Sequence, residues 1–99
     1  MRVGIIGASG YVGGELLRLL LTHPQVEVTT ITSRKNAGEY VFVVHPNLRG
    51  LTRLKFLSLN FSQIKNNCDI VFTAMPHGSS VNLVPKLLEM RLKVIDMSA

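Results

Sequence analysis

The sequence has few of the features that mark secreted, membrane-spanning or metal-binding proteins. Its 99 residues include one cysteine, Cys68, so no internal disulfide can form, and this favours a reducing compartment. The apolar runs are far shorter than the roughly 20 residues that a spanning helix needs, and no signal peptide is visible. The three histidines and Cys68 lack the spacing of metal ligands. We therefore expect a cytoplasmic protein without a membrane span or a bound metal.

The positive charge of the chain is not concentrated in one segment. The formal net charge is +5, but the lysines and arginines are scattered and no run of five or six like charges occurs. The sequence also lacks a basic stripe interleaved with aromatic residues, which would be typical of single-stranded nucleic-acid binding. We expect a solvated basic surface or a preference for phosphorylated ligands, and no nucleic-acid partner.

Strand-like and helix-like apolar patterns alternate along the chain. Short β-branched runs predict strands at residues 3–6, 26–31, 69–74 and 93–97. Apolar residues at helical spacing predict helices over residues 11–23 and from Ser79 or Ser80 to about Met90. Such alternation predicts an α/β fold, namely a Rossmann-type doubly wound parallel sheet in a single domain, residues 1–99, that stops after about the fifth strand.

Weaker patterns lie in the middle of the chain. Residues 40–44 are compatible with a short strand, and residues 54–59 alternate weakly enough to form another. Ser62 is a candidate cap for a short helix that runs through Asn66.

A glycine-rich loop follows the first predicted strand and precedes the first predicted helix. Gly7, Gly10 and Gly13 form a G-x-x-G-x-x-G pattern, which differs from the commonest G-x-G-x-x-G spacing. Gly7 permits a tight turn, Gly10 lets the backbone approach a phosphate, and Gly13 lets the helix pack close to the strand. The amino end of the helix supplies N–H donors and a positive field. The loop therefore predicts a dinucleotide site, and the alternative is a turn that merely requires small residues.

The residues after the second strand indicate which dinucleotide is preferred. NAD sites usually carry a carboxylate there for the ribose 2′-hydroxyl, whereas this strand leads into Ser33-Arg34 and has none. Ser33 is able to donate a hydrogen bond to a 2′-phosphate, and Arg34 to pair with it in a fork. NADP is therefore the predicted cofactor; the alternative is a solvated basic loop.

Two further residues follow the strand at residues 69–74. Pro76 and His77 lie after its carboxyl end, where ligands bind in doubly wound sheets, so we expect them near the nicotinamide half of the cofactor. The alternative is that the Pro-His-Gly sequence serves only as a turn.

The remaining histidines and the cysteine are assigned structural roles. His23 ends a helix, and His45 begins a turn-rich segment that we expect to be a loop. Cys68 lies at the start of a strand, away from the expected crevice, and is interpreted as a small buried hydrophobic residue instead of a nucleophile.

These motifs together resemble a known family. The chain is similar over essentially all its residues to the amino-terminal domain of N-acetyl-γ-glutamyl-phosphate reductases and of the related N-acetyl-aminoadipyl-phosphate reductases of lysine biosynthesis. The matching segments are residues 7–18, 32–38, 45–50, 68–72, 76–78 and 94–99. The glycine loop and the Ser-Arg-x-x-Ala-Gly stretch also resemble aspartate-semialdehyde dehydrogenase. The His-Pro-Asn-Leu-Arg-Gly and Pro-His-Gly stretches favour the acyl-glutamyl-phosphate reductases.

The resemblance implies both cofactor contacts and a reaction. The family's pyrophosphate-binding residues correspond to Ser9, Gly10, Tyr11 and Val12, and those around the 2′-phosphate correspond to Ser33, Arg34 and Lys35. The implied reaction is reduction of an acyl phosphate by NADPH to an aldehyde, for arginine or lysine biosynthesis. A cysteine thiolate forms a thioester, hydride releases the aldehyde, and a histidine assists.

In the family this cysteine and histidine lie beyond the region that matches this chain, so we expect no catalytic residue among the 99. We also expect no activity from the chain alone, and homo-oligomers in the full-length protein. Glutamyl and aminoadipyl substrates both remain open. The alternatives are a reductase like aspartate-semialdehyde dehydrogenase, or a non-catalytic NADP-binding module.

Overall fold

The computed structural model describes residues 1–75 and 82–97, and in this part of the chain four strands form one sheet. The strands are β1 (Arg2–Ile6), β2 (Glu27–Thr32), β3 (Ile70–Thr73) and β4 (Lys93–Asp96). All neighbouring strands are parallel, in the order β2-β1-β3-β4. The helices are α1 (Tyr11–Leu21), α2 (Val41–Val44), α3 (Phe61–Asn67) and α4 (Leu83–Glu89), with a short 3-10 helix at Pro46–Leu48. The predicted Rossmann-type α/β fold is confirmed.

The strand order places β1 at the point where the chain changes direction across the sheet. From β1 the chain passes to β2 on one side and then returns to β3 on the other. Ile6 and Thr73, at the carboxyl ends of β1 and β3, are register partners. Ligands of open α/β sheets bind outside the carboxyl ends at such a switch point. The crevice above Ile6 and Thr73 is therefore where a ligand is expected.

Helices cover both faces of the sheet. Successive residues of a strand point to opposite sides, so each strand contributes to the core on both faces. Ile5 belongs to the cluster on the α1 face, and Ile6 to the cluster on the face of α3 and α4. The α1-face cluster consists of Ile5, Ala8, Leu17, Ile31, Val41, Leu48 and Phe56. The other cluster consists of Ile6, Ile64, Cys68, Val71, Leu83, Leu87 and Leu92. Helices on both faces fit the doubly wound class.

Polar pairs close the amino end of the sheet. The carboxylate of Asp69 accepts the backbone N–H of Arg2 at 2.9 Å and contacts its guanidinium at 3.2 Å. These hydrogen bonds from Arg2, the backbone one first, lower the pKa of Asp69 below its ordinary value of 3.8. Thr29 Oγ1 donates to the carbonyl of Asn67 at 2.8 Å, and the terminal amine donates to the carbonyl of Gln25.

The prediction of a strand at residues 40–44 is wrong. Tyr40 forms one isolated antiparallel bridge with Lys55, and α2 follows immediately. Val41 is buried and Val44 packs partly buried against the same cluster, whereas Val43 is 55% exposed. Core contacts spaced three apart follow the helical period and not the strand period of two.

The strand expected at residues 54–59 is also absent. The segment makes one parallel bridge, Leu57 to Thr32, and the antiparallel bridge of Lys55, so it lines the sheet edge without joining it as a strand. Phe56 is its one fully buried residue, and Leu57 and Leu59 are exposed. The sheet consequently has four strands in the described residues and not five.

The cap expected for α3 lies two residues earlier than predicted. Asn60, not Ser62, is the capping residue, since its side-chain oxygen accepts the N–H of Gln63 at 3.0 Å. Ser79 and Ser80, the caps expected for α4, lie outside the described residues; Asn82 precedes that helix. None of the described helices has the length and apolarity to cross a membrane.

Candidate dinucleotide-binding site

Gly7 turns the chain out of β1 and ties it to the end of β2. Its φ of +83° lies in the left-handed region, which favours glycine. The N–H groups of Gly7 and Ala8 both donate to the carbonyl oxygen of Thr32, at 3.1 and 2.9 Å. A Cβ on Gly7 would lie 3.0 to 3.1 Å from Met75 and Ala74. Both the backbone conformation and the close neighbours therefore require glycine at this position.

The amino end of α1 carries no cap. Gly10 is the N-cap residue and offers no side chain, and the first turn contains no acidic residue. In the described part of the chain, no hydrogen-bond acceptor is paired with the backbone N–H groups of Ser9, Gly10, Tyr11 or Val12. Together with the helix dipole, these donors make a site suited to an anion.

Gly10 and Gly13 serve different purposes in the loop. A Cβ on Gly10 would meet no described protein atom within 4 Å, so the space above it is open. A Cβ on Gly13 would lie 2.7 Å from Cα of Ala8 and 2.9 Å from its carbonyl carbon and oxygen. The close approach predicted at Gly13 is therefore present, with a loop residue as its partner and not the strand.

The side chains of Tyr11 and Val12 lie at the surface. Tyr11 is 83% exposed and Val12 is 43% exposed, although both stand in the first turn of an otherwise core-packed helix. Neither side chain contributes to the buried clusters of the sheet. The structure thus leaves both available to a ligand, and their contact with the pyrophosphate stays a prediction.

Ser33 is buried and links the glycine loop to the loop after β2. Its Oγ donates to Oγ of Ser9 at 2.9 Å and accepts the backbone N–H of Asn36 at 3.0 Å. The hydroxyl hydrogen is therefore already used within the protein. To donate to a 2′-phosphate, as predicted from the sequence, Ser33 has to release Ser9.

Arg34 and Lys35 are exposed in a loop that is held from both sides. The N–H of Ser33 donates to the carbonyl of Leu57, and the N–H of Gly38 donates to the carbonyl of Phe56. Within residues 1–75 and 82–97, neither Arg34 nor Lys35 forms an ion pair. Two unpaired cations thus stand on an ordered loop beside the glycine loop.

The cofactor prediction from the sequence did not take account of one carboxylate in this loop, that of Glu39. Asn36 Nδ2 donates to Oε1 of Glu39 at 3.2 Å, and Asn36 is itself bonded to Ser33. A carboxylate therefore occurs later in this loop, and Asn36 connects it to Ser33.

A cavity of about 270 Å³ joins these elements. It is lined by Ile6, Gly7, Thr32, Ser33, Arg34, Ser58, Leu59 and Met75. Ser58, Leu59 and Met75 were not expected here from the sequence. The available signal was the weak alternation at residues 54–59, which reaches the site because Leu57 bridges the end of β2.

His45 contacts the glycine loop directly, although its sequence surroundings predicted only a loop. Its Nε2 lies 2.8 Å from the carbonyl oxygen of Ala8. A Cβ on Gly14 would lie 2.5 Å from the ring, so the ring occupies the space that Gly14 leaves. The ring packs against Phe56 with ring centroids 6.3 Å apart.

Cys68 lies at the opposite end of the sheet. It is 3% exposed, and its Sγ is 3.5 Å from Oγ1 of Thr29 and in the space that a Cβ on Gly4 would occupy. Its interpretation as a buried hydrophobic residue is confirmed. Among the described residues, no group of three or more His, Cys, Asp and Glu is placed to hold a metal ion.

Pro76 and His77 lie outside the described residues. Their position near the nicotinamide stays a prediction. The described chain reaches Ala74, whose N–H donates to the carbonyl of Ile6 at 2.8 Å, and Met75, which lines the cavity.

The chain is similar in sequence to two kinds of phosphate reductase. It is 56% identical over 99 residues to N-acetyl-gamma-glutamyl-phosphate reductase from Methanocella arvoryzae, covering all of this chain and 30% of that protein. It is 52% identical over 99 residues to the LysW-L-2-aminoadipate/LysW-L-glutamate phosphate reductase from Saccharolobus solfataricus, covering all of this chain and 28% of that protein. The chain thus spans less than a third of the length of these relatives.

The fold is similar to that of a solved enzyme structure with low sequence identity. Aspartate semialdehyde dehydrogenase with NADP from Candida albicans superposes with a TM-score of 0.81 at 19% identity, covering 98% of this chain and 29% of that chain. The family model described as semialdehyde dehydrogenase, NAD binding domain, matches residues 2–99. This chain, with its glycine loop at the switch point of a parallel sheet, therefore belongs to the family of semialdehyde dehydrogenase NAD-binding domains.

Proposed function

We propose that this chain is the cofactor-binding domain of an NADPH-dependent reductase that converts an N-acylated glutamyl or aminoadipyl phosphate into the semialdehyde. The observation that carries the cofactor assignment is the uncapped amino end of α1 beside Arg34, which forms no ion pair within residues 1–75 and 82–97. The reaction is supported by two relatives. One, 56% identical, is named as a reductase of N-acetyl-gamma-glutamyl phosphate, and the other, 52% identical, as a reductase of LysW-bound aminoadipate or glutamate phosphate.

The pyrophosphate is assigned to the glycine loop. Ser9, Gly10, Tyr11 and Val12 offer backbone N–H groups, and the dipole of α1 adds a positive field at the same point. A phosphate can approach closely because the space where a Cβ of Gly10 would lie holds no described protein atom. The residues present thus fit the phosphates of a dinucleotide.

The preference for NADPH is assigned mainly to Arg34. Arg34 lines the cavity, which extends from the glycine loop to the end of β2, where the ribose of a dinucleotide lies in sheets of this type. Lys35 follows it and adds charge. A hydrogen bond to a charged group contributes about 1.5–3 kcal/mol, which corresponds to roughly a 10- to 150-fold preference for the 2′-phosphate.

In the proposed reaction NADPH supplies the hydride, and this chain supplies binding and orientation. The attacking thiol is not expected in this chain, since its one cysteine, Cys68, is buried at the other end of the sheet. Pro76 and His77 follow β3, and we assign them to the nicotinamide side. The chain alone is therefore expected to bind cofactor without turning over an acyl phosphate.

A reductase of aspartyl phosphate is the second candidate, since the glycine loop and the Ser-Arg-x-x-Ala-Gly stretch also resemble aspartate-semialdehyde dehydrogenase. The solved aspartate semialdehyde dehydrogenase shares the fold with a TM-score of 0.81. Its identity of 19% is far below the 56% shared with the acyl-glutamyl-phosphate reductase, and the fold alone carries no substrate preference. We therefore favour the glutamyl or aminoadipyl class.

Titration of the chain with NADPH and with NADH tests the cofactor assignment. We expect tighter binding of NADPH, and an increase of about tenfold or more in its dissociation constant for Arg34→Ala, with little change for NADH. Arg53→Ala is the matched control, because Arg53 is exposed, has the same charge and does not line the cavity. Equal binding of both cofactors by the unmodified chain would remove the NADPH preference, and no binding of either would remove the proposed function.

A further inference from the structure

One side chain from outside the glycine loop holds the backbone of that loop. His45 lies at the carboxyl end of α2, and its Nε2 is 2.8 Å from the carbonyl oxygen of Ala8. In the described part of the chain, no other side chain forms a hydrogen bond with the backbone of residues 7–13. A carbonyl oxygen only accepts, so Nε2 carries the hydrogen and His45 is the donor.

This hydrogen bond determines where one backbone donor of the loop points. The peptide unit between Ala8 and Ser9 is planar and trans, so its C=O and N–H point in opposite directions. With the carbonyl directed at His45, the N–H of Ser9 is directed away from the ring. The N–H of Ala8 is already bonded to Thr32, so the peptide units on both sides of Ala8 are held.

The imidazole ring of His45 packs closely between α1 and the core. Gly14 lies beneath it, because a Cβ there would be 2.5 Å from Cε1 and 2.7 Å from Nδ1 of the ring. The ring also packs at a steep angle, 64° between the ring planes, against Phe56, which is fully buried. The second glycine of the Gly13-Gly14 pair, which the dinucleotide fingerprint does not require, is thereby explained by His45.

We propose that His45 is a positioning residue of the cofactor site, which holds the Ala8–Ser9 peptide so that the N–H of Ser9 is presented to the bound pyrophosphate. The inference rests on the proposed dinucleotide binding and adds to it a residue outside the glycine fingerprint. His45 does not itself contact the cofactor; it acts through Ala8.

Two substitutions separate the hydrogen bond from the packing of the ring. His45→Phe keeps an aromatic ring against Gly14 and Phe56 but removes the donor, whereas His45→Gln keeps a donor at the place of Nε2. For His45→Phe we expect the NADPH dissociation constant to rise about three- to tenfold, as for loss of one hydrogen bond. For His45→Gln we expect a value within about twofold of the unmodified chain. His23→Gln is the control at an exposed histidine.

A smaller ligand distinguishes positioning from general loosening of the domain. Adenosine 2′-monophosphate has the 2′-phosphate but no pyrophosphate, so its binding is expected to be unchanged by His45→Phe. Equal weakening of both ligands, or failure of a folded His45→Gln chain to restore NADPH binding, would overturn the inference. If His45→Phe does not fold, His45→Asn replaces it, since its amide is too short to reach Ala8.

The outcome for the unmodified chain separates this inference from the proposed function. If the unmodified chain binds NADPH and His45→Phe binds it equally well, the positioning role is wrong and the cofactor site stands. If the unmodified chain binds no NADPH, the proposed function fails and the positioning role with it.

Discussion

The two ends of the parallel sheet differ in how their polar groups are paired within the chain. At the amino end, the carboxylate of Asp69 is paired with Arg2, and Thr29 is bonded to the carbonyl of Asn67. At the carboxyl end, the N–H groups of residues 9–12 have no acceptor in the described chain, and Arg34 has no ion-pair partner. The polar groups at the amino end thus pair within the chain, whereas the carboxyl end combines internal pairs, such as Ser33 with Ser9, with donors that have no partner among the described residues.

The difference shows where this domain forgoes stability for binding. A Ser, Thr, Asp or Asn at the N-cap of α1 would contribute roughly a few tenths of a kcal/mol more than Gly10, which has no side chain to accept an N–H. The pairs at the amino end are exposed and individually contribute little. The stability of the domain is therefore expected to depend on close packing in the glycine loop. Its affinity for the cofactor is expected to depend on the N–H groups of residues 9–12 and on Arg34.

The largest expected effect is that of Gly13→Ala, which disrupts the packing of α1 against the glycine loop at the carboxyl end of the sheet. The new Cβ would lie 2.7 Å from the backbone of Ala8, which cannot rotate away, so helix and loop must separate. Overpacking usually costs about 1–3 kcal/mol, and against backbone atoms we expect about 2–3 kcal/mol, which exceeds the gain of up to about 1 kcal/mol in helix propensity by about 1–2 kcal/mol. We expect the Tm to fall by about 5 to 15 °C and NADPH binding to weaken at least tenfold. An unchanged Tm in thermal unfolding would contradict this assignment of Gly13.

Gly10→Ala separates binding from stability at the same end. Its φ of −80° suits alanine, and the new Cβ meets no described atom, so we expect the Tm to change by less than about 3 °C. The Cβ would instead obstruct the approach of a phosphate, and we expect the NADPH dissociation constant to rise about tenfold or more. Titration together with thermal unfolding checks this, and unimpaired binding would show that the phosphate does not approach Gly10.

Ser33→Ala tests the internal bonds beneath the open end. The substitution leaves Oγ of Ser9 and the N–H of Asn36 without the Ser33 hydroxyl, at a site that is 3% exposed. Ser9 and Asn36 are half-buried and can bond to water instead, so the net cost is about 1 kcal/mol and we expect the Tm to fall by about 4 to 8 °C. If Ser33 serves the protein more than the 2′-phosphate, NADPH and NADH titrations will give nearly the same preference as for the unmodified chain.

Asp69→Asn at the amino end has the smallest expected effect. At pH 7 we expect the Tm to fall by less than about 3 °C, because the pair with Arg2 is exposed, and cofactor binding to be unchanged. Hydrogen bonds from Arg2 lower the pKa of Asp69 in the folded chain below 3.8. The carboxylate therefore stabilises fully above the unfolded pKa, and this stabilisation is lost as the pH falls through the lower folded pKa.

Thermal unfolding of both chains between pH 7 and pH 2 measures this loss. The difference in Tm between the unmodified chain and Asp69→Asn should be constant at neutral pH and shrink below about pH 4. A difference that grows on acidification would mean that the pair with Arg2 does not lower the pKa of Asp69.

Much of the fold and the core of the candidate site follow from short stretches of sequence. The run of residues 3–6 and the glycines at 7, 10 and 13 specify a buried strand, a turn and a helix start, since each depends on neighbours within a few residues. The same dependence on near neighbours also led to an incorrect prediction at residues 40–44. The valines of residues 41–44 favour a strand by composition, but Val41 and Val44 both reach the core only as a helix.

The sequence by itself determined the Rossmann class, the glycine loop between β1 and α1, and the basic residues that follow β2. Only the tertiary structure decided that His45 holds Ala8, that Ser33 gives its hydrogen to Ser9, and that Ser58 and Leu59 line the cavity. These contacts join residues more than twenty positions apart. The partners carry no local pattern that identifies each other, so they meet only once α1 and the sheet edge have packed together.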